Sequence, residues 1–557
     1  MILIEIIVMK GFVKVMKIFL LSLHDRKTML LNHDDIGLAS IASYTRENGY
    51  DVKLVGCYSD ELCLESIIEY QPQIIGLSIY RDSKDIICDF SKIIKKVLPD
   101  VKIVIGGICA TNYAAELLKQ CEHIDYAVRG EGEEVFLNLI RFCEEEGEIG
   151  EIRGLTYRDK DIICSNEEQK LISDLDSLPN PSRDMLKDNK LKIATISTSR
   201  GCYGSCTFCE SPEYWTTIHD SKKWRGRTID STICEIMKIE KEYGIQRFLI
   251  INNSFEDQGD IKVVEAFADK IITHERPISY QINFRPAFQR TCPPKLIKKM
   301  KESGLCSIFT GIESANDEDL RLYNKLHNCN DNEKIMEMFR ASGIYICVGF
   351  ININPYSTFD GLYKNLLFLS KHNLVGNFLM LSRLRIEKGT QMHRKIESDK
   401  LWLDGCNTYT DNMGYRHIDN RIDFMVQFLD RYFYKDFEMS KLLYKILYYD
   451  RYFLIYLAHN KRLATFRQES TALKIINECE KEINRVFSRL NAEGTNWFEQ
   501  MLYCAETHWS EQYANKLTKN FFCKRNMFAI DSELSKIKGI YYKQLIKATM
   551  THSDYLI

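Results

Sequence analysis

Two series of short apolar runs, each run followed by an amphipathic stretch, constrain the fold more than any other feature of the sequence. In the first series the strand-like runs are residues 17–21, 52–55, 74–79, 101–105 and 126–128. Five β/α units of this length predict an open, doubly wound, flavodoxin-like parallel sheet over residues 16–150. A ligand of such a sheet is expected in the crevice at the carboxyl ends of its strands.

The second series follows residues 151–190, which we interpret as a linker because Pro179 and Pro181 prevent a helix there. Its strand-like runs are residues 193–199, 248–251, 279–284, 307–312, 345–351 and 377–381. Six units predict a partial (β/α)6 barrel over residues 191–400. From residue 401 to 557 the apolar residues recur with helical spacing, which predicts an α-helical C-terminal domain.

Length and charge restrict the class of protein. A chain of 557 residues is long enough for about three domains. Its 75 Lys and Arg against 77 Asp and Glu give a net charge of −2, which does not favour a nucleic-acid partner. Charged residues interrupt the apolar stretch 1–23, so we expect no membrane partner and a cytoplasmic location. Because Met16 begins the first strand, residues 1–15 are either an N-terminal extension from an upstream start or part of the first domain.

Three of the nineteen cysteines are clustered, whereas single cysteines such as Cys57, Cys88, Cys234 and Cys479 are expected to be buried thiols. The cluster is Cys202, Cys206 and Cys209, spaced C-x3-C-x2-C on a glycine-containing loop directly after the first strand of the second series. Three thiolates on one loop can hold three irons of a [4Fe–4S] cluster and leave the fourth iron open to a small molecule. The alternative is a zinc site that His219 completes.

This loop resembles the motif of the radical S-adenosylmethionine superfamily, in which an aromatic residue precedes the last cysteine, as Phe208 does here. The resemblance extends over roughly residues 190–400 and includes Trp224-Arg225-Gly226-Arg227, Gly311-Ile312-Glu313-Ser314 and Gly349-Phe350-Ile351 in family order. It implies that S-adenosylmethionine binds the open iron and is cleaved reductively to a 5′-deoxyadenosyl radical. The chain departs from the family at Ile251-Asn252-Asn253-Ser254, where many members have Gly-Gly-Glu or an Asp.

The same resemblance implies cosubstrate contacts. Glu313 and Ser314 correspond to ribose contacts, with structural hydrogen bonding as the alternative. Arg285, at the end of a predicted strand, has a guanidinium that can hold the cosubstrate carboxylate in a bidentate manner, with a surface salt bridge as the alternative. No catalytic side chain is assigned from the sequence.

Glycines and small polar residues follow the strands of the first series, at one rim of the predicted sheet. The dinucleotide motif G-x-G-x-x-G is absent after the first strand, where the sequence is His24-Asp25-Arg26-Lys27. The rim is instead similar to the cobalamin-binding domain that precedes many radical S-adenosylmethionine enzymes. The residues expected to bind cobalamin are Ser78, Tyr80, Arg81, Gly106, Gly107, Thr111 and Gly130.

A histidine on cobalt is not expected. The segment Leu31-Asn32-His33-Asp34-Asp35-Ile36-Gly37 has a histidine but lacks the D-x-H-x-x-G pattern of the methionine-synthase type of domain. The loop Tyr80-Arg81-Asp82-Ser83 is the better candidate to lie under the corrin, with a solvated turn as the alternative.

Together these features resemble the cobalamin-dependent radical S-adenosylmethionine enzymes. For the methylating members, the resemblance implies a C-methyltransferase acting on an unactivated carbon of a natural-product or peptide substrate. It also implies an electron donor such as flavodoxin or ferredoxin, and helices that cap the barrel mouth. Two alternatives stay open at this point: rearrangement or cyclisation without methyl transfer, and a non-catalytic corrinoid or iron–sulfur sensor.

Overall fold

The computed structural model describes residues 16–23, 34–57, 60–80, 83–187, 192–210, 224–256, 260–274, 277–406 and 413–548. These residues form two compact units, one within residues 16–187 and the other within residues 192–548.

The first unit is an α/β domain built on a seven-stranded sheet of order β2-β1-β3-β4-β5-β6-β7. The strands β1 to β5 are Lys17–Leu23, Asp51–Cys57, Ile74–Ser78, Lys102–Gly106 and Tyr126–Val128. They pair in parallel, so the predicted doubly wound sheet is confirmed. The helices α1 to α5 are Ile36–Glu47, Asp60–Tyr70, Lys84–Val97, Ile108–Gln120 and Gly132–Cys143.

Residues 151–190 differ from the predicted linker in their first half. Strands β6 (Leu155–Asp159) and β7 (Ile162–Ser165) form an antiparallel hairpin, and β6 pairs with β5 to extend the first sheet. Lys160 adopts a left-handed φ of 52° in the turn. Leu155 and Thr156 are fully buried, so the hairpin covers what would otherwise be an open sheet edge.

The second unit contains a five-stranded parallel sheet of order β14-β13-β12-β11-β8. Its strands β8, β11, β12, β13 and β14 are Ile193–Ile196, Arg247–Ile250, Ser279–Phe284, Leu305–Glu313 and Tyr345–Phe350. The predicted sixth strand, residues 377–381, is wrong. Two 3-10 turns stand there, Val375–Asn377 and Leu379–Leu381, because Phe378 between them has a left-handed φ of 57° that no extended strand can include.

Helices connect these strands and continue to the end of the described chain. Around the sheet lie α6 to α12, which are Ile229–Tyr243, Ile261–Thr273, Pro294–Ser303, Asp317–Leu322, Cys329–Ala341, Phe359–Lys371 and Gln391–Ser398. The C-terminal region is helical as predicted, with α13 to α18 at Asn420–Leu429, Phe437–Tyr448, Ile455–Phe466, Ser470–Thr507, Glu511–Phe521 and Lys524–Ala548. Two π-helical segments, Asp430–Tyr434 and Tyr449–Leu454, lie between them.

Helix α15 packs below the sheet, at the amino-terminal ends of its strands. Arg247, the first residue of β11, donates to Asn460 Oδ1 through Nε and Nη2, at 3.1 and 2.8 Å. His459 Nδ1 is hydrogen-bonded to the hydroxyl of Ser279, the first residue of β12. All four side chains are buried. The expectation that the helical region caps the barrel mouth is therefore wrong for α15, because buried polar pairs fix it at the opposite edge.

The cysteines outside the cluster are not all buried thiols. Cys479 is buried as expected, whereas Cys234 is exposed and Cys88 forms a disulfide with Cys121. Periodicity and spacing do not reveal this pair, because the two residues are 33 positions apart and meet only when α3 packs beside the end of α4. In the part of the chain that the structure describes, no helix is long and apolar enough to cross a membrane.

Candidate functional site

The three clustered cysteines lie on a loop at the carboxyl end of β8. The short strand β9 (Ser199–Gly201) leads into the loop and pairs with β10 (Trp224–Gly226). Cys202 and Cys206 are buried, and Cys209 is half-buried. Thr207 holds the loop through its amide to Tyr323 O, at 3.1 Å, and through its hydroxyl to Leu322 O, at 2.8 Å. The segment after β13 therefore supports the cysteine loop.

Arg285, directly after β12, contacts the cysteine loop. Its Nη2 donates to Cys202 Sγ at 2.7 Å, and its guanidinium lies 4.7 Å from the centre of the Tyr203 ring. Burial lowers the pKa of Arg285, but the electrostatic effects of Cys202, Cys206 and Tyr203 outweigh burial, so the pKa is raised overall. A Cβ on Gly204 would overlap the guanidinium, so a larger residue there would displace Arg285 from its contact with Cys202. Arg285 is thus not in a surface salt bridge; its role toward the cosubstrate carboxylate stays a prediction.

Glu256 is a site residue that the sequence analysis missed. It is fully buried, and it accepts a hydrogen bond from the Tyr203 hydroxyl at 3.3 Å on Oε1. Its other oxygen, Oε2, has no partner among the described residues. Burial raises the pKa of Glu256 to about 7. The departure at residues 251–254 was the available signal, since an acidic side chain follows only two residues beyond it.

Glu313 and Ser314, at the end of β13, have different surroundings. Glu313 has a left-handed φ of 62° and pairs with Lys325 at 3.0 Å. Lys325 Nζ in turn lies 5.7 Å from the centre of the Phe208 ring. Ser314 is fully buried, and its hydroxyl is hydrogen-bonded to Asp319 Oδ2 at 2.8 Å and Asn365 Oδ1 at 2.9 Å. This geometry favours structural hydrogen bonding for Ser314, while a ribose contact of Glu313 stays a prediction.

The residues of this loop fit an iron–sulfur cluster with a bound cosubstrate. Among the described residues, no His, Cys, Asp and Glu side chains are gathered around a single metal position. A [4Fe–4S] cluster does not require this, because each thiolate binds a separate iron. Glu256 Oε2 and Arg285 Nε are buried beside the loop and have no hydrogen-bond partner in the described chain. Buried polar atoms are normally hydrogen-bonded, so both atoms are available to a polar ligand. His219, the ligand of the zinc alternative, lies outside the described residues.

The rim of the first unit brings most of the predicted cobalamin residues together. Ser78 ends β3 and pairs in register with Gly106, which ends β4. Thr111, in the first turn of α4, donates from its hydroxyl to Gly107 O at 3.0 Å and accepts from the Gly130 amide at 3.1 Å. The residues that follow β3, β4 and β5 therefore form one continuous edge, which lies at the carboxyl ends of the strands as predicted.

Gly106 and Gly107 serve different purposes at this edge. Gly107 has a left-handed φ of 100°, and a Cβ there would lie 3.3 Å from Ile79 O. A Cβ on Gly106 would meet nothing within 4 Å. Gly107 is therefore required by the backbone turn, whereas Gly106 leaves open space in the crevice.

Tyr80 borders the same crevice from the end of β3. Its hydroxyl lies 3.5 Å from Asp35 Oδ2, to which Ser22, at the end of β1, also donates at 3.0 Å. Asp35 itself caps α1 by accepting from the Leu38 amide. His33 and Arg81 lie outside the described residues, so their predicted roles are not addressed by the geometry.

Two protein families match the two units. Residues 26–140 match the B12 binding domain, and residues 196–369 match the radical SAM superfamily, where SAM is S-adenosylmethionine. These ranges contain the glycine rim and the cysteine loop, respectively. The two domains imply cobalamin, S-adenosylmethionine and a [4Fe–4S] cluster as the cofactors.

Curated relatives are identical to this chain at about a quarter of the aligned positions. An uncharacterized methyltransferase of Pyrococcus horikoshii is 28% identical over 60% of this chain and 73% of its own length. The anaerobic magnesium-protoporphyrin IX monomethyl ester cyclase of Cereibacter sphaeroides is 27% identical over 57% of this chain and 52% of its own length. The hopanoid C-3 methylase of Methylococcus capsulatus is 25% identical over 58% of this chain and 62% of its own.

Solved structures share the fold. The cobalamin-dependent S-adenosylmethionine radical enzyme OxsB, with aqua-cobalamin and S-adenosylmethionine bound, matches 91% of this chain and 84% of its own with a TM-score of 0.66 at 19% identity. The radical S-adenosylmethionine methyltransferase TsrM from Kitasatospora setae matches 72% of this chain and 80% of its own with a TM-score of 0.56 at 13% identity.

Proposed function

We propose that this chain, which belongs to the cobalamin-dependent radical S-adenosylmethionine enzymes, transfers a methyl group to an unactivated carbon of a small-molecule or peptide substrate. The observation that carries the proposal is the pairing of two sites on one chain. One is the Cys202, Cys206 and Cys209 loop with Arg285 on Cys202 Sγ, and the other is the glycine rim that Thr111 closes.

The protein residues hold and position the reactants in this proposal. When bound, the cluster supplies the electron that cleaves S-adenosylmethionine, and cobalamin carries the methyl group. Cys202, Cys206 and Cys209 hold the cluster, and Phe208 packs edge-on against Tyr323, which fixes the end of the loop. Arg285 keeps a positive charge at the cluster, while buried Glu256, with a pKa of about 7, can accept or release a proton beside it.

The names of the relatives favour methyl transfer but support a second candidate. Methyltransferase and methylase are the names of the relatives from Pyrococcus horikoshii and Methylococcus capsulatus. The cyclase of Cereibacter sphaeroides supports ring formation without methyl transfer as the alternative. An electron donor such as flavodoxin or ferredoxin and a cytoplasmic location are part of the proposal, because cleavage requires a low-potential electron in a reducing compartment.

The deciding experiment measures both products made from S-adenosylmethionine in single reactions of the reconstituted enzyme with candidate substrates. A radical methylase is expected to form S-adenosylhomocysteine, from loading cobalamin, and 5′-deoxyadenosine, from hydrogen abstraction. If the true substrate is converted with 5′-deoxyadenosine but never S-adenosylhomocysteine, the methyl-transfer proposal is wrong and cyclisation replaces it.

A matched variant tests the cysteine loop. Replacing Cys202, Cys206 and Cys209 by Ala should remove the four irons and four sulfides, the absorption near ~400 nm and all 5′-deoxyadenosine. Replacing Cys234 and Cys329, which lie on the helices α6 and α10 and not on the loop, should change none of these. Stoichiometric zinc without sulfide in the unmodified protein would refute the cluster.

A further inference from the structure

A cavity of about 620 Å³ opens at the amino-terminal edge of the second unit's sheet. Leu305 and Tyr345, the first residues of β13 and β14, line it together with helices α8, α10, α11, α15 and α16. Because β13 has nine residues that each rise about 3.3 Å, this edge lies roughly 25 Å from Glu313 and the cysteine loop. The cavity is therefore separate from the site described above.

Cations outnumber carboxylates in its lining. The cations are Lys301, Arg340, Lys371, Lys461 and Arg462, and the lining carboxylate is Glu480. Two cations are neutralised: Lys461 pairs with Glu480 at 2.9 Å, and Lys371 pairs with Glu333 at 2.7 Å.

The three remaining cations contact backbone carbonyls. Lys301 donates to Ser342 O, Arg340 to His372 O at 3.1 Å, and Arg462 to Glu302 O. Within the described residues none of the three forms a salt bridge.

The negative ends of helix dipoles compensate part of this positive charge. Lys301 and Arg340 lie in the last turns of α8 and α10, and α11 ends at the same cavity. Each helix C-terminus carries a partial charge of about −0.5, so three of them offset roughly half of the charge on the three cations. His372 adds no charge at neutral pH, because burial lowers its pKa. A positive charge of about 1.5 remains, and the Glu302 carboxylate near Arg462 offsets part of it.

The positive charge of Arg462 is the one that a helix C-terminus compensates least. Arg462 lies within α15 rather than in a last turn facing its own carbonyls, and its Nε is buried without an acceptor in the described chain. Burial lowers its pKa, and the electrostatic effects of Tyr280, Cys306 and Glu302 oppose this without reversing it. A guanidinium in such a position has donors and charge available for a ligand.

Apolar and polar side chains share the remainder of the lining, the polar ones being His372, Asn373, Asn377, Thr465 and Asn484. An apolar wall is formed by side chains of β13, β14, α10, α16 and the segments between elements, namely Leu305, Met336, Ile344, Ile346, Leu374, Leu454 and Phe487. Its volume lies in the range of small-molecule sites, which combine an apolar wall with a few placed polar groups.

We propose that this cavity binds a small organic anion, with the charged head group at Arg462, Lys301 and Arg340 and the apolar body against the wall of β13, β14 and α16. The site is independent of the methyl-transfer proposal, since it shares no residue with the cysteine loop or the glycine rim.

Binding of 8-anilinonaphthalene-1-sulfonate to the cobalamin- and cluster-loaded enzyme tests the site by fluorescence. The probe has an anionic head and an apolar body, and its uncharged analogue N-phenyl-1-naphthylamine is the chemical control. We expect saturable binding that Arg462→Gln weakens at least about tenfold, because one charge-assisted contact is lost. Lys298→Gln, which removes an exposed cation of the same helix as Lys301, should leave binding unchanged.

A second variant covers the case in which Arg462→Gln unfolds. Asn484 lines the cavity from α16, so Asn484→Phe should block the probe by its bulk without removing a charge. Unchanged binding in both folded variants, or equally tight binding of the uncharged analogue, would overturn the proposal. Octanoate and octyl phosphate, added as competitors, identify the preferred head group; failure of both to compete would also count against it.

Discussion

Single side chains beside the cysteine loop are expected to tune the cluster. A hydrogen bond to a ligand sulfur stabilises the reduced cluster, which carries more negative charge, and Arg285 Nη2 makes such a contact to Cys202 Sγ at 2.7 Å. Arg285→Met should therefore lower the reduction potential. A difference of about 1 kcal/mol between oxidation states corresponds to roughly 40 mV for one electron.

An EPR-monitored redox titration measures this shift. Arg290→Gln is the matched control, because Arg290 lies five residues away and pairs with Asp331 instead. An unchanged potential in Arg285→Met would show that the contact does not persist in the loaded protein.

His459 is expected to make stability depend on pH. Burial lowers its pKa to about 3, against an ordinary value of 6.5, so the native state stays unprotonated at a pH where the unfolded chain binds a proton. The proton linkage of His459 therefore does not lower the free energy of unfolding well above pH 6.5. Below this value the free energy of unfolding falls steadily as the pH drops toward 3. Between pH 7.5 and 5.5 the loss is about 1.4 kcal/mol.

Urea unfolding of wild type and His459→Asn at these two pH values checks the effect. The variant should lose that part of the pH dependence, whereas replacing the exposed His508 by Asn should not. An identical pH dependence in wild type and His459→Asn would contradict the assignment.

At the scale of elements, the turn from β4 to α4 contains two adjacent glycines with different expected effects. Gly107→Ala forces an L side chain into a left-handed conformation and against Ile79 O, which should lower the free energy of unfolding by roughly 1–2 kcal/mol. Gly106→Leu fills open space, so it should leave stability within about 0.5 kcal/mol while weakening cobalamin binding.

Thermal unfolding and cobalamin titration by absorbance separate the two glycines. Unchanged cobalamin affinity in a folded Gly106→Leu protein would show that the crevice at Gly106 is not part of the cobalamin site.

At the scale of the whole molecule, the two compact units should respond differently to cobalamin. Ligand binding stabilises the segments it contacts, so hydrogen exchange should slow at the carboxyl ends of β3, β4 and β5 when cobalamin is added to the full chain. Exchange in α15 should not change, because α15 packs at the amino-terminal edge of the other unit's sheet. Equal protection of α15 would contradict this division.

The sequence by itself determined most of the architecture and the position of the cysteine loop after the first strand of the second unit. Apolar residues that recur with a period of two or 3.6 indicate which strands and helices form. Three thiols within eight residues indicate a local site. Both signals are readable because they depend on residues that are close together in the chain. Prediction from the sequence is wrong where contacts between residues far apart in the chain determine the local structure. Residues 377–381 look like a strand but turn at Phe378, and residues 155–165 pair with β5 instead of linking two domains.

Only the tertiary structure placed Glu256 beside Tyr203, Arg285 on Cys202 and α15 beneath the sheet. These pairs are separated by 53, 83 and 213 residues, respectively. The physical reason is that burial and pairing of a polar group depend on the residues packed around it in space, about which the local order of amino acids carries no information.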